Sequence, residues 1–270
     1  MSKIKIAAVQ MPTVSNKMEN VRKVREYLEK LKDQNLDFVV LPEMFCCPYK
    51  TENFPAYAEE EGGEVWKQLS EYAKHYGIYL VGGSIPEKDA KGRVYNTTYV
   101  FDRQGKQIGK HRKAHLFDID VTGGQYFRES DTLTAGDSDT VFDTAFGKMG
   151  VIICFDIRFP EMVRMTVNDG AKVIFVPAAF NMTTGPAHWD ITMRVRALDN
   201  QVYFAANSPA RDENGPYVAY GNSCIASPWG DFIAHADEKE SILYGDIDLD
   251  YEDSVREQLP LLKHRRPELY

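Results

Sequence analysis

Residues 173–177, Val-Ile-Phe-Val-Pro, repeat the pattern of residues 38–42, Phe-Val-Val-Leu-Pro. Each is a short, β-branched apolar run stopped by a proline, which cannot donate to a sheet ladder, so each reads as a buried strand with an abrupt end. The surroundings repeat too. Before the first run, Ile4–Gln10 reads as a strand and Met18–Lys32 as a helix, with Val21, Val24, Leu28 and Leu31 at three-to-four spacing and Asn16 as its cap. After it, Val65–Tyr76 is helical and stops at Gly77, and Ile78–Val81 is a strand before Gly82-Gly83. Around the second run, Met149–Cys154 reads as a strand and Pro160–Asp169 as a helix that opens on proline and stops at Gly170. Ala187–Asn200 is then helical, and Tyr203–Ala206 is a strand before Asn207-Ser208. A hairpin follows in each half: Tyr95–Asp102 with Lys106–Ile108, and the stretch from Gly221 to Gly230. The chain therefore reads as two copies of a β-α-β-α-β-β unit. Sheets this apolar need cover on both faces, and two sheets packed together with helices outside provide it. The predicted fold is α/β, an internally duplicated four-layer α-β-β-α sandwich. No linker-like stretch separates the halves, so residues 1–270 are expected to form one domain.

Composition bounds the function. Of 270 residues, 43% are hydrophobic and 27% charged, ordinary values for a protein with a substantial core. The net charge of −8 argues against a nucleic-acid partner, which needs basic surface to neutralise phosphates. It also means that an anionic substrate needs its own local positive site. The adjacent Cys46 and Cys47 and the separate Cys154 and Cys224 make no disulfide framework and suit a reducing compartment. No apolar stretch approaches membrane-helix length, and Met1-Ser-Lys-Ile-Lys leads straight into strand sequence rather than a secretory leader. A soluble cytoplasmic protein without a membrane partner is expected.

In α/β sheets, ligands meet residues just past the carboxyl ends of strands. Three reactive residues sit near such ends: Glu43 after Leu-Pro, Lys113 in the basic run after the first hairpin, and Cys154 after Val151–Ile153. Singly, each has a plain explanation as a loop acid, a solvated lysine and a buried thiol. Together they form a working set. A thiol must lose its proton to attack, a carboxylate can take that proton and return it to a leaving amine, and an ammonium can hold an oxyanion.

The stretches Leu41-Pro-Glu-Met-Phe45, His111-Arg-Lys-Ala-His-Leu-Phe117 and Ile153-Cys-Phe-Asp-Ile-Arg-Phe-Pro-Glu161 resemble the three signature blocks of the nitrilase superfamily of carbon–nitrogen hydrolases, in the family's order and across essentially the whole chain. The resemblance implies the same sandwich fold, a catalytic triad on Glu43, Lys113 and Cys154, a second glutamate at Glu129, and homodimers or higher homo-oligomers. Further stretches, among them Gly82-Gly-Ser-Ile-Pro86, His115-Leu-Phe-Asp-Ile-Asp120 and Ser208-Pro-Ala-Arg-Asp212, resemble its omega-amidase branch. That branch hydrolyses the terminal amide of small dicarboxylic acid monoamides such as 2-oxoglutaramate and 2-oxosuccinamate. Cys46-Cys47 departs from the branch, where smaller or polar residues are expected.

On this reading Cys154 attacks the amide carbonyl, Lys113 and the backbone N–H of Phe155 hold the oxyanion, and Glu129 orients the amide or Lys113. The far carboxylate of the substrate needs a donor. Arg158 is the first candidate, and its plain alternative is an ion pair with Asp156 or Glu161. Tyr49 is the second, against packing on Phe45 or Phe54. His115 lines the pocket near Lys113, and Asn181 and Thr183 line the opposite wall unless they serve only the local turn. His111 and His115 stand four apart, like a zinc pair, but no glutamate follows His111 and no third ligand is evident, so neither metal nor cofactor is expected. The tail, residues 250–270, mixes apolar and basic residues in Leu259-Pro-Leu-Leu-Lys-His-Arg-Arg266; it either clamps a partner subunit or docks on its own chain. Two other functions fit the same residues: a hydrolase of N-carbamoyl or β-ureido acids or of general aliphatic amides, and a non-catalytic α/β binding protein with a structural thiol.

Overall fold

The computed structural model describes residues 2–269. In chain order the elements are β1 (Lys3–Gln10), α1 (Lys17–Leu31), β2 (Phe38–Val40), α2 (Asn53–Tyr57), α3 (Glu64–Tyr76), β3 (Tyr79–Val81), β4 (Ile85–Lys88), β5 (Val94–Phe101), β6 (Gln107–Arg112), β7 (Asp118–Asp120) and β8 (Tyr126–Arg128). The second half follows with β9 (Val141–Thr144), β10 (Gly147–Val151), α4 (Pro160–Asn168), β11 (Val173–Pro177), α5 (Gly185–Asn200), β12 (Tyr203–Asn207), β13 (Cys224–Ala226), β14 (Phe232–His235), β15 (Ser241–Asp248) and α6 (Leu249–Gln258).

The duplication is visible in the sheets. One runs β15-β1-β2-β3-β5-β4, with β6 also on β5; the other runs β9-β10-β11-β12-β13-β14. In each, three parallel strands (β1, β2, β3 and β10, β11, β12) are flanked by antiparallel ones. Alternation along each strand explains the layers. Phe38 and Val40 of β2 face Val173 and Phe175 of β11 in a core between the sheets, where the Phe38 and Phe175 rings stack at 5.0 Å. Val39 and Leu41 point the other way, into a core shared with Val21, Val24 and Leu28 of α1 and Leu69 of α3. Ile174 and Val176 likewise meet Val163 of α4 and Trp189 and Met193 of α5. The strands are apolar on both faces because both faces are covered, and the layer order is α-β-β-α.

The helix ends follow the sequence signals. The Asn16 side chain accepts the Glu19 N–H at 3.0 Å, and Gly77 takes the left-handed conformation after α3. Other boundaries move. The strand expected over Met149–Cys154 ends at Val151, so the thiol lies beyond the ladder rather than on it. The hairpin strand expected at Lys106–Ile108 runs on to Arg112. The two-stranded ribbon β7–β8 stands outside both sheets, and its short, half-exposed strands carry no hydrophobic period to mark them.

The C-terminal tail docks on its own chain. Leu262 packs on the α4–α5 core, Arg265 donates to Asn168 Oδ1 at 2.8 Å, and the Leu259 carbonyl accepts from Gln201. Glu252 of α6 is wholly buried. Arg256 Nη2 lies 3.0 Å from Glu252 Oε1 without the alignment of a hydrogen bond, and burial pushes the Glu252 carboxyl up to about 8 despite that charge. Because the folded value exceeds the unfolded one, folding takes up a proton, and stability falls as pH rises from about 4.5 to about 8, by about 1.4 kcal/mol per pH unit. Glu252→Gln is therefore expected to melt higher than the parent at pH 8 and above, the gap closing towards pH 4.5. Melting curves across that range check it, and a gap that does not change with pH refutes the assignment.

Candidate active site

Three chain segments deliver the reactive groups to one end of the sandwich. Glu43 follows β2 and Pro42, where the chain must pass close to the β3–β4 turn. A Cβ on Gly83 would lie 2.2 Å from the Pro42 carbonyl oxygen, so only glycine fits there. Ser84 then accepts the Met44 N–H at 3.0 Å and fixes the loop just past Glu43. Lys113 follows β6 by one residue, its backbone tied to Asn96 and Gly136 at 2.8 Å each. Cys154 opens a 3₁₀ turn, Cys154–Arg158, with φ of 45°, a left-handed conformation that costs a side-chain-bearing residue energy.

The groups converge. Lys113, Glu43 and Glu129 are wholly buried. Lys113 Nζ lies 2.9 Å from Glu43 Oε1 and 3.0 Å from the Glu129 carboxylate. Asn96 Nδ2 donates to Glu43 Oε1 at 2.8 Å, and the Phe117 N–H donates to Glu129 Oε2 at 2.7 Å. The Tyr49 hydroxyl lies 2.6 Å from Glu129 Oε1 and 3.1 Å from Glu43 Oε1, so its one proton goes to the nearer Glu129. Glu43 Oε2 is left buried without an ordinary hydrogen-bond partner, and the thiol's approach favours the charged carboxylate. Cys154 Sγ accepts the Ala179 N–H at 3.5 Å.

The electrostatics suit proton transfer to a carboxylate. Burial pushes Glu43 above the ordinary value, with Lys113 opposing and Glu129 adding to the rise. Burial and the Glu43 charge hold the thiol well above its ordinary value, against Lys113. Desolvation alone would lower Lys113, but the Glu129 and Glu43 charges outweigh it, and the side chain stays an ammonium. A carboxyl raised in this way is a stronger base than a solvent-exposed one, and Glu43 lies beside a lysine whose charge is retained.

The other expected residues divide. Tyr49 is taken up by the two glutamates and packs edge-on against Phe54 at 5.5 Å, which leaves its hydroxyl no part in holding a distant carboxylate. Asn181 is spent on its turn, its Oδ1 accepting the Thr184 N–H at 2.8 Å and its Nδ2 donating to Gln125. Thr183 is exposed beside Gly124 of the β7–β8 ribbon. His115 stacks on Phe159 at 3.7 Å and bonds Asp156 rather than pointing freely into a pocket. Neither ion pair considered for Arg158 forms. Among the described residues its guanidinium has no carboxylate within 4.0 Å, lies 4.7 Å over the Phe180 ring, contacts His188 Nδ1 at 3.2 Å and keeps a buried Nε without a partner. Phe155 follows the thiol with its ring edge-on to Phe117 at 5.3 Å.

Sequence reasoning missed Asn96 and Tyr217, and gave Asp156 and His111 other parts. Tyr217 donates to the Ala179 carbonyl, stacks at 4.6 Å on Tyr49, and with them lines a cavity of about 60 Å³ that reaches Glu43. It lies in the loop between β12 and β13, where no period or motif points to it. His111 and His115 reach Asp156 rather than a metal; among the described residues no group of three metal-ligating side chains clusters.

A family model described as Carbon-nitrogen hydrolase matches residues 5–257. The chain is 49% identical over 270 residues to Omega-amidase NIT2 of Xenopus tropicalis, covering 100% of this chain and 98% of the relative, and 46% identical to Omega-amidase NIT2 of Homo sapiens with the same coverage. Among solved structures, Saccharomyces cerevisiae Nit3, a member of branch 10 of the nitrilase superfamily, superposes with a TM-score of 0.91 at 41% identity, covering 98% of this chain and 97% of that one. With a buried Glu–Lys–Cys set at the end of a duplicated α-β-β-α sandwich, the chain belongs to the carbon–nitrogen hydrolase family and is a hydrolase of carbon–nitrogen bonds.

Proposed function

We propose that this chain is an amidase that hydrolyses the terminal amide of small dicarboxylic acid monoamides, such as 2-oxoglutaramate and 2-oxosuccinamate, through a cysteine thioester. The observation that carries the substrate class is Arg158, a guanidinium four residues past the thiol with a buried, unpartnered Nε and, among the described residues, no carboxylate within 4.0 Å. In a chain of net charge −8, a half-buried arginine without a carboxylate partner beside the nucleophile suits a substrate that brings its own carboxylate. The names of the relatives favour the same reading.

In the reaction, Glu43 takes the thiol proton and Cys154 Sγ attacks the amide carbon. The oxyanion rests against the Lys113 ammonium and the Phe155 N–H. Glu43 returns the proton to the departing nitrogen, the C–N bond breaks, and ammonia leaves a thioester. Glu43 then removes a proton from water, which attacks the thioester; the C–S bond breaks and the thiol regains its proton as the acid departs. Glu129 supports Lys113 as a second carboxylate partner, 3.0 Å from the ammonium.

Ammonia release from 2-oxoglutaramate, compared with that from an N-carbamoyl amino acid and from a neutral aliphatic amide, tests the assignment. The monoamide is expected to give the highest kcat/KM; a preference for the carbamoyl compound overturns the substrate and leaves the chemistry standing. Arg158→Leu is expected to lower kcat/KM for the monoamide about 10- to 100-fold, the worth of a charge-assisted hydrogen bond at about 1.5–3 kcal/mol, while sparing the neutral amide. Equal losses on both substrates refute the carboxylate role.

A homodimer in the cytoplasm suits the exterior. Ile191, Val195 and Leu198 on the outer face of α5, with Trp229 beside them, form an apolar groove in which Ile191 is 66% and Trp229 50% exposed. Such a patch fits a second copy better than water. All four cysteines are free, and among the described residues no helix is long and apolar enough to cross a membrane. Ile191→Arg is expected to halve the mass measured by light scattering; an unchanged mass places the contact elsewhere.

A further inference from the structure

Asp156 lies two residues past the nucleophile, wholly buried, and its carboxylate accepts four hydrogen bonds. Oδ2 receives the Ile153 N–H at 3.0 Å and faces His111 Nε2 at 2.9 Å. Oδ1 receives the His115 N–H at 2.9 Å and faces His115 Nδ1 at 2.8 Å. These bonds come from two segments. Ile153 precedes the thiol, and the Asp156 N–H returns a bond to the Ile153 carbonyl at 3.0 Å, so Cys154 sits inside a loop closed on both sides by one residue. That loop contains the left-handed φ of 45° at Cys154, a conformation that persists only where neighbouring bonds over-determine it. The two histidines lie two residues either side of Lys113, His111 on β6 and His115 in the bend just beyond it, and both rings reach Asp156 in the nucleophile turn.

We propose that Asp156 is a positioning residue of the hydrolysis: with His111 and His115 it clamps the Lys113 segment to the nucleophile turn and sets where Cys154 Sγ stands relative to Lys113 and Glu43. The proposal rests on the Glu43–Lys113–Cys154 chemistry above. It gives His115 a part other than contact with substrate, and it gives the two histidines four apart a shared carboxylate partner. Burial alone would raise Asp156, but its bonds to His111 and His115 hold the carboxyl well below the usual range, so the clamp stays charged throughout the working pH range.

The test uses kcat and KM for 2-oxoglutaramate together with the rate at which iodoacetamide alkylates Cys154, which needs no substrate. Asp156→Asn keeps the size but must turn an NH₂ group towards hydrogen-bond donors. It is expected to lower kcat about 100-fold, the cost of roughly an ångström of misplacement, with KM within threefold and alkylation slowed in parallel. Should that variant fail to fold, His115 supplies the second arm. His115→Ala is expected to lower kcat about tenfold, and His115→Asn, whose Nδ2 stands where the imidazole Nδ1 stood, to recover most of it. Failure of His115→Asn to recover more than His115→Ala overturns the proposal, as does an effect confined to KM or an Asp156→Asn variant with wild-type alkylation. If the wild-type protein released no ammonia from 2-oxoglutaramate, the substrate reading would fall while the alkylation rates still decided the role of Asp156.

Discussion

Cys154→Ala is expected to lower amide turnover by about 10⁶-fold, the usual consequence of removing a covalent nucleophile. No second thiol can substitute. Cys46, Cys47 and Cys224 are each buried, and burial pushes Cys46 up to about 12 and the other two above their ordinary value. Ammonia release gives the rate, and iodoacetamide labelling read by mass spectrometry gives the site, with fast uptake at Cys154 lost in the variant. A residual rate within 100-fold of wild type would refute the thioester route and favour a protein that merely binds. A stability measurement separates chemistry from fold. At φ of 45° alanine inherits the strain of Cys154 and glycine does not, so Cys154→Gly should melt no lower than Cys154→Ala despite glycine's greater chain entropy.

Lys113→Met is expected to cost 10³-fold or more in kcat, and the reason is twofold. Loss of one oxyanion donor typically costs about 3–4 kcal/mol of barrier. The second loss follows from burial. Among the described residues Lys113 is the one cation within 4.0 Å of both Glu43 and Glu129, both wholly buried. Without it the two carboxylates and the Tyr49 hydroxyl share a dry space, and a proton must enter to relieve the repulsion. If Glu43 takes that proton, the base is gone as well. The variant should therefore lose activity and also melt higher at acidic pH, where the pair can protonate, than at neutral pH. Activity within tenfold of wild type, with a melting temperature insensitive to pH, would show that Lys113 neither holds the oxyanion nor balances the glutamates.

The fold was legible because it is written in local patterns. A strand apolar on both faces must be covered on both faces, and Phe38–Leu41 and Val173–Val176 state this twice, each with its proline. Glu43, Lys113 and Cys154 were legible because strand ends put reactive side chains where ligands bind. Two kinds of detail were not. The chain leaves β10 at Val151 and turns left-handed at Cys154, although Val151, Ile152 and Ile153 are as apolar as any strand; beyond one last bond from the Ile152 N–H to the Phe175 carbonyl, Ile152 and Ile153 face the α4–α5 core, and their hydrophobicity reports burial more than pairing. Partnerships distant along the chain were equally hidden. Asn96 reaches Glu43 from β5, Tyr217 reaches Ala179 from a loop, and Asp156 joins histidines more than forty residues away. The first two depend on how strands and loops meet within one copy and the last on how the two copies dock, and no local spacing encodes either. The ion pair that was Arg158's plain alternative does not form with Asp156, because His111 and His115 hold that carboxylate.

The pairing of β1 with β15 has a consequence for how the chain is made. Eight residues, Lys3 to Gln10, find their antiparallel partners in Asp248 to Ser241, and the Leu249 N–H bonds the Ser2 carbonyl. The opening strand must therefore wait through most of synthesis for its outer neighbour, its edge amides unpaired until residues 241–248 leave the ribosome. Contacts this distant along the chain slow folding, and an open apolar edge is a seed for pairing with other molecules. A nascent chain stalled before residue 241 is expected to be protease-sensitive and chaperone-bound, and the same chain released after residue 250 to become resistant. The first sheet is thus closed only once residues 241–248 have been made.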